Sequence, residues 1–321
     1  MSPATLSYAV PNLYGQSFLS MTDATPDQVK AMLALAIKLK ADKRSGTAHR
    51  LLAGKHIALY FELPSNRTRV SFEVGSADLG LNTVHLRKEE INLGVRETIA
   101  DTARTLSRYV DAIMIRAGSH HDVSELAEHA TVPVINGLTG LHHPCQVLAD
   151  LQTVLERAGA LEGKTLAYIG DGNNMCHSLM LGSALVGLNM RIATPPDYEP
   201  QADVVQEAEA LAQKSGASLT LVHDKYEAVT GADAVYTDVW ASMTNKHEAE
   251  ERRKAFAGFI VDQDLMAKAN PGAFVLHCLP AVRGEEIAHE TLEAHADAIF
   301  SQAENRMHAQ KALMLSLMLK Q

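Results

Sequence analysis

The sequence predicts an α/β protein built from two doubly wound, parallel-sheet domains. Three observations lead there. Short apolar runs recur along the chain and alternate with stretches of helical periodicity. The alternation pauses at the short polar stretch Ala158-Gly159-Ala160-Leu161-Glu162-Gly163 and then restarts, which marks a hinge. The residues just after the apolar runs are unusually polar, and open parallel sheets bind ligands outside the carboxyl ends of their strands. A length of 321 residues also suits two domains better than one.

In chain order, Thr25-Pro26-Asp27 combines an N-cap, a proline at the first helical position and a first-turn acid. Val29, Met32, Leu33, Ala36 and Ile37 follow at helical spacing, so an amphipathic helix is predicted. The run His56-Ile57-Ala58-Leu59-Tyr60-Phe61 reads as a buried strand, followed by a helix that Ser65 caps and Gly80 ends. Strands are predicted at Thr83–Leu86, Ala112–Ile115 and Val132–Ile135, with helices over Glu97–Val110 and Val123–Ala130 between them. A long helix runs from His143-Pro144 to about Arg157. The second set of strands comprises Leu166–Ile169, Met190–Ala193, Leu219–Val222, Ala234–Thr237 and Phe274–His277. A last helix starts near Gln302, and its apolar face reads as core packing.

Function is sought first at the tip after Phe61. Ser65 places the unpaired N–H groups of a helix's first turn beyond the strand's carboxyl end, and Arg67 and Arg69 add charge. Two arginines in a first turn are repelled by the helix dipole unless an anion is present, so the tip is a candidate phosphate site. The other strand ends offer Arg116, His120 and His121, then Asn136-Gly137-Leu138 and His142-His143-Pro144-Cys145-Gln146. The second set offers Gly170-Asp171-Gly172-Asn173-Asn174, Asp238-Val239-Trp240-Ala241-Ser242-Met243 and His277-Cys278-Leu279-Pro280.

Composition narrows the classes. Net charge is −9, with 46% hydrophobic and 21% charged residues, and no basic cluster runs along the chain. No nucleic-acid or anionic-membrane partner is therefore expected. Cys145, Cys176 and Cys278 are odd in number and widely spaced, which argues against a disulfide framework and fits a reducing cytoplasm. Met1 to Tyr8 lacks the basic head and apolar region of a secretory leader, and no apolar run approaches the ~20 residues of a membrane span.

Several motifs fail on physical grounds. Gly159 to Thr165 is one residue short of a phosphate-binding loop and precedes a strand instead of following it. Gly170-Asp171-Gly172-Asn173-Asn174-Met175 puts Met175 where a dinucleotide fingerprint needs its third glycine. There is no Gly-x-Ser-x-Gly elbow, and His289 and His295 are too far apart for a zinc helix. Adjacent strand residues point to opposite faces, so Cys278 reads as a lining residue rather than half of a nucleophile pair with His277.

Ser65-x-Arg67-Thr68-Arg69, Arg116, His143-Pro144-Cys145-Gln146 and His277-Cys278-Leu279-Pro280, in this order and at these distances, resemble the aspartate/ornithine carbamoyltransferase family over essentially the whole chain. Asp101-Thr102-Ala103-Arg104, Gly170 to Asn174, Asp238-x-Trp240-x-Ser242-Met243 and Ala303-Glu304-Asn305-Arg306 are similar to the family's ornithine branch. The resemblance implies a carbamoyl-phosphate domain, residues 1–147, and an ornithine domain, residues 148–302, linked by long helices. A C-terminal helix of residues 303–321 would pack back on the first.

The implied reaction is carbamoyl transfer from carbamoyl phosphate to the δ-amine of L-ornithine, giving citrulline and phosphate. The implied phosphate ligands are Ser65, Asn66, Arg67, Thr68 and Arg116, completed by Asn92 from a neighbouring subunit of a homotrimer or an assembly of trimers. Thr68, Arg116 and His143 would face the carbamoyl oxygen, Gln146 and the Leu279 carbonyl its amine, and Arg306 would close the pocket. Asp238 would pair the α-ammonium of ornithine, while Asn174, Ser242 and Met243 would fix its carboxylate. Cys278 belongs to the ornithine set and, with Arg116 and His143, to the catalytic one. No metal, cofactor or covalent intermediate is required.

Three positions depart from the pattern: Asn66 replaces a Thr, Asn92 a Gln and Thr244 a Gly. They leave open other acceptors, namely putrescine, an acylated ornithine or aspartate, and a binding protein without turnover.

Overall fold

The computed structural model describes residues 9–241 and 246–320. The chain forms two compact units. One takes the described residues up to Ala149 together with those from Asn305 onward; the other is Asp150–Glu304. Both boundaries fall inside helices, Pro144–Ala158 and Ala296–Met318.

The first unit holds strands β1 (His56–Phe61), β2 (Asn82–Arg87), β3 (Ala112–Arg116) and β4 (Val134–Leu138). They form one parallel sheet in the order β2-β1-β3-β4. The order turns around at the β1/β3 junction, so right-handed crossovers send the connecting helices to opposite faces. Every residue of β3 is buried, as a strand covered on both faces requires. Ala58, Tyr60, Ile113, Ile115, Val123 and Leu126 pack together in this core. The expected strand at Val132 begins only at Val134, because Pro133 has no N–H for the ladder and lends only its carbonyl, to Ile113 N at 2.9 Å.

The second unit holds β5 (Thr165–Ile169), β6 (Asn189–Ala193), β7 (Leu219–Val222), β8 (Ala234–Thr237) and β9 (Phe274–His277). These are again all parallel, in the order β7-β6-β5-β8-β9. The reversal here lies between β5 and β8, so the loops after those strands flank the topological switch point. Ala167, Ile169, Val235, Val275 and Leu292 contribute to its core.

Three helices differ from expectation. The one sought over Val123–Ala130 spans His120–His129, because Ser119 supplies the cap, accepting from Asp122 N at 3.1 Å. The one sought over Glu97–Val110 spans Ile99–Leu106, because Thr98 supplies the cap, accepting from Asp101 N at 3.1 Å. The final helix starts at Ala296, well before Gln302. Its early buried positions mix Ala298 and Ile299 with Gln302, Asn305 and Arg306, so polar residues interrupt the hydrophobic period that would have marked the start. Among the described residues, no helix is long and apolar enough to cross a membrane.

Candidate functional site

In the first unit the site grows from the end of β1. Ser65 caps the helix Asn66–Leu79, its Oγ accepting from Thr68 N at 3.2 Å. This aims the first-turn N–H groups outward from the strand's carboxyl end. Arg69 leaves the tip: it is exposed, and its Nε donates to Glu73 at 2.9 Å. Arg67 stays half-buried and close enough to His143 to act on it electrostatically.

Arg306 ties three elements together. One guanidinium nitrogen donates to Gln146 Oε1 at 2.6 Å and another to Thr68 Oγ1 at 3.1 Å, and all three residues are buried. The forked guanidinium suits this two-point contact. His143 is also buried, and burial first, then Arg306, Arg116 and Arg67, holds its imidazole well below the usual histidine range. The ring is therefore neutral at pH 7 and can donate an N–H without carrying charge.

Arg116, the last residue of β3, is buried, and its carbonyl accepts from Glu62 N at 2.9 Å. Glu62 in turn accepts from Gly118 N and Lys88 Nζ, both at 2.9 Å, and so fixes the turn that follows Arg116. Cys145 is no nucleophile, because burial pushes its thiol up to about 12 while the Sγ–H donates to the Asn136 carbonyl.

In the second unit the loops after β5, β8 and β9 meet at Asp238. Its carboxylate accepts from Cys278 Sγ at 3.0 Å, Asn173 Nδ2 at 3.1 Å and Val239 N at 2.8 Å. Asn173 also caps the helix Asn174–Val186, which puts Asn174 at that helix's first position. The Asp238 carboxylate is thus held side-on in a largely buried setting, suited to an ammonium group.

Asp238, His277 and Cys278 each bring one potential ligand atom within 4.8 Å of the others. Both His277 nitrogens are already engaged, however: Nδ1 accepts from Leu279 N at 2.8 Å, and Nε2 meets Glu286 Oε1 at 2.9 Å. A cation there would have to break one of those bonds.

Of the remaining expected residues, Leu279 joins these contacts through its backbone N–H. Asn92 ends the short helix Lys88–Ile91 on an exposed turn at φ 48°, a conformation asparagine tolerates, and its backbone bonds stay within residues 88–96. Asn66 is exposed at the first position of its helix. Leu279 follows Cys278 with φ 60°. Ser242, Met243 and Thr244 lie outside the described residues.

Sequence reasoning missed Arg252, Glu286 and Gln302. Arg252 Nη1 donates to Asp171 at 2.8 Å and to the Trp240 carbonyl at 3.0 Å, while its Nε donates to Glu248 at 2.8 Å. Gln302 accepts from His277 N at 2.9 Å and donates to Asp150 at 2.6 Å. The only sequence signal for Arg252 was a basic residue one helical turn after Glu248.

Comparison with known proteins bears on both units. Residues 16–156 match the carbamoyl-P binding domain of aspartate/ornithine carbamoyltransferases, and residues 162–317 match the Asp/Orn binding domain. An ornithine carbamoyltransferase from Anoxybacillus flavithermus is 51% identical over 306 residues, 95% of this chain and 98% of that protein. The solved structure of the ornithine carbamoyltransferase from Pyrococcus furiosus superposes with a TM-score of 0.93 at 48% identity, covering 96% of this chain and 99% of that one. The more distant ornithine transcarbamoylase from Giardia lamblia still gives 0.84 at 31% identity over 94% of this chain and 97% of that one.

Proposed function

Because the chain belongs to the aspartate/ornithine carbamoyltransferase family, we infer that it transfers the carbamoyl group of carbamoyl phosphate to the δ-amine of L-ornithine, giving L-citrulline and phosphate. The reaction is a step of arginine metabolism. The observation that carries the assignment from family to chemistry is a neutral, buried His143 ringed by Arg306, Arg116 and Arg67. Such a cluster suits a substrate with both a phosphate and a carbonyl to polarise.

The residue roles follow from this reading. Ser65, the N–H groups of Asn66, Arg67 and Thr68, and Arg116 hold the phosphate, with Asn92 of a neighbouring subunit completing the cradle. Thr68, Arg116 and His143 donate to the carbamoyl oxygen. Attack by the lone pair of the uncharged δ-nitrogen forms the C–N bond and builds negative charge on that oxygen, which preplaced donors stabilise most in the transition state. The C–O bond to phosphate then breaks, phosphate leaves with the electron pair, and the nitrogen passes its proton to the departing phosphate or to solvent. Gln146 and the Leu279 carbonyl orient the carbamoyl amine, while Arg306 braces Gln146 and Thr68.

On the acceptor side, Asp238 pairs the α-ammonium, so that only the δ-amine is free to react. Asn174, Ser242 and Met243 take the α-carboxylate, and Cys278 lines the site beside Asp238. An aspartate acceptor would need cations for two carboxylates, whereas Asp238 presents a buried carboxylate. A cytoplasmic homotrimer, or an assembly of trimers, is the form proposed.

The test is an acceptor panel. Purified protein with carbamoyl phosphate and L-ornithine is expected to release citrulline and phosphate in equal amounts, and neither aspartate, putrescine nor an acylated ornithine should replace ornithine. Carbamoylation of one of those amines without citrulline would sink the reading, as would carbamoyl phosphate binding with no turnover.

A further inference from the structure

We propose that Glu286 is a positioning residue that sets the Cys278 thiol against Asp238, acting through the His277 ring. Glu286 and His277 are fully buried beneath the turn that follows β9. Leu279 N–H donates to His277 Nδ1 at 2.8 Å, so that nitrogen carries no proton. The ring proton therefore sits on Nε2 and is donated to Glu286 Oε1 at 2.9 Å. Glu286 is itself held, since the same oxygen accepts from Val282 N and its backbone carbonyl accepts from Val261 N at 2.9 Å. One imidazole thus pins the residues on both sides of Cys278.

The pinned turn is one the chain would not adopt unaided. Leu279 has φ 60°, a region a leucine enters only when its surroundings hold it there. With His277 and Leu279 fixed, Cys278 Sγ reaches Asp238 Oδ1 at 3.0 Å. Released, the ring can swap its proton to Nδ1, the Leu279 N–H loses its acceptor, and the thiol loses its direction. The inference rests on the acceptor role given to Asp238 above. It names Glu286, which touches no substrate in that reading, as what keeps the acceptor site in shape.

The experiment compares Glu286→Ala, Glu286→Gln and His277→Asn with the unaltered protein. Gln keeps an oxygen for the His277 Nε2–H, whereas Asn at 277 keeps an acceptor for Leu279 N–H but cannot reach Glu286. Two readouts are taken on protein shown to be folded by circular dichroism. The first is the rate of Cys278 alkylation by iodoacetamide, followed by peptide mass spectrometry; the second is the KM for ornithine against that for carbamoyl phosphate. Glu286→Ala and His277→Asn are expected to speed alkylation and raise the ornithine KM by about tenfold, leaving the carbamoyl phosphate KM within about twofold. Glu286→Gln should stay near the unaltered protein on both. Unchanged alkylation in a folded Glu286→Ala, or a Gln variant as impaired as the Ala one, overturns the proposal. If Glu286→Ala does not fold, His277→Asn decides by the same readouts. Absence of citrulline from the unaltered protein would defeat the functional reading instead, and alkylation would still decide the role of Glu286.

Discussion

Arg252 Nη1 donates to Asp171 Oδ2 at 2.8 Å, yet burial pushes the Asp171 carboxyl up to about 6. Desolvation outweighs the guanidinium here, and Asp238 and Glu248 add to the rise.

That balance gives a pH dependence with a definite sign. The folded chain holds the Asp171 proton more tightly than the unfolded chain, so this group favours folding most below its ordinary value of 3.8 and loses that contribution as pH rises through about 6. The full swing is about 3 kcal/mol. Urea titrations at about pH 4 and about pH 7.5 should show the unaltered protein losing stability relative to Asp171→Asn across that interval. A constant difference between the two would contradict the burial argument.

Arg306→Lys should behave as a severe change despite keeping the charge. A single ammonium cannot span Gln146 and Thr68 as the fork does, so one of two buried groups is left without its donor. A fall in kcat/KM for carbamoyl phosphate of about a hundredfold is expected in a citrulline assay.

For His143 the sign is opposite to that of Asp171. Its folded value is depressed, so the stability it lends is present above about 6.5 and is lost as pH falls. Nitrogen NMR of labelled imidazole should find this ring neutral at about pH 6, where a solvent-exposed histidine is mostly protonated. Loss of activity on His143→Ala should reach about a hundredfold, as removal of an oxyanion donor does.

Gly172 tests packing next to Asn173, which donates to Asp238. A Cβ there would lie 2.2 Å from Pro200 N and 2.3 Å from Glu199 C, both backbone atoms that cannot swing away. Gly172→Ala is expected to cost about 3 kcal/mol or more and to lower the thermal midpoint by several degrees.

The sequence carried the sheet more fully than it carried the braces behind the site. Ala234–Thr237 and Phe274–His277 are readable as strands to the residue because they are short, fully buried parallel strands, whereas Leu219–Val222, also matched, is a half-exposed edge strand and Met190–Ala193 falls one residue short of Asn189–Ala193. Ser65, Thr25 and Gly80 announced their caps through local chemistry alone. Arg252, Glu286 and Gln302 were not legible, since each works through partners far off in sequence or through a side chain that folding alone brings near. Nothing local in the sequence separates Glu286 from its neighbour Glu285; its complete burial against His277 does.

Construction of the first unit from two separated stretches of chain has a consequence for its synthesis. The ribosome makes β1 to β4 early, but Asn305–Met318 only after all of Asp150–Glu304. Until that late stretch emerges, Thr68 and Gln146 lack Arg306, and Leu13 lacks the Ser316 carbonyl it donates to at 3.2 Å. The nascent first sheet is therefore complete in its strands long before Arg306 can brace Thr68 and Gln146, and a second fold is made in between.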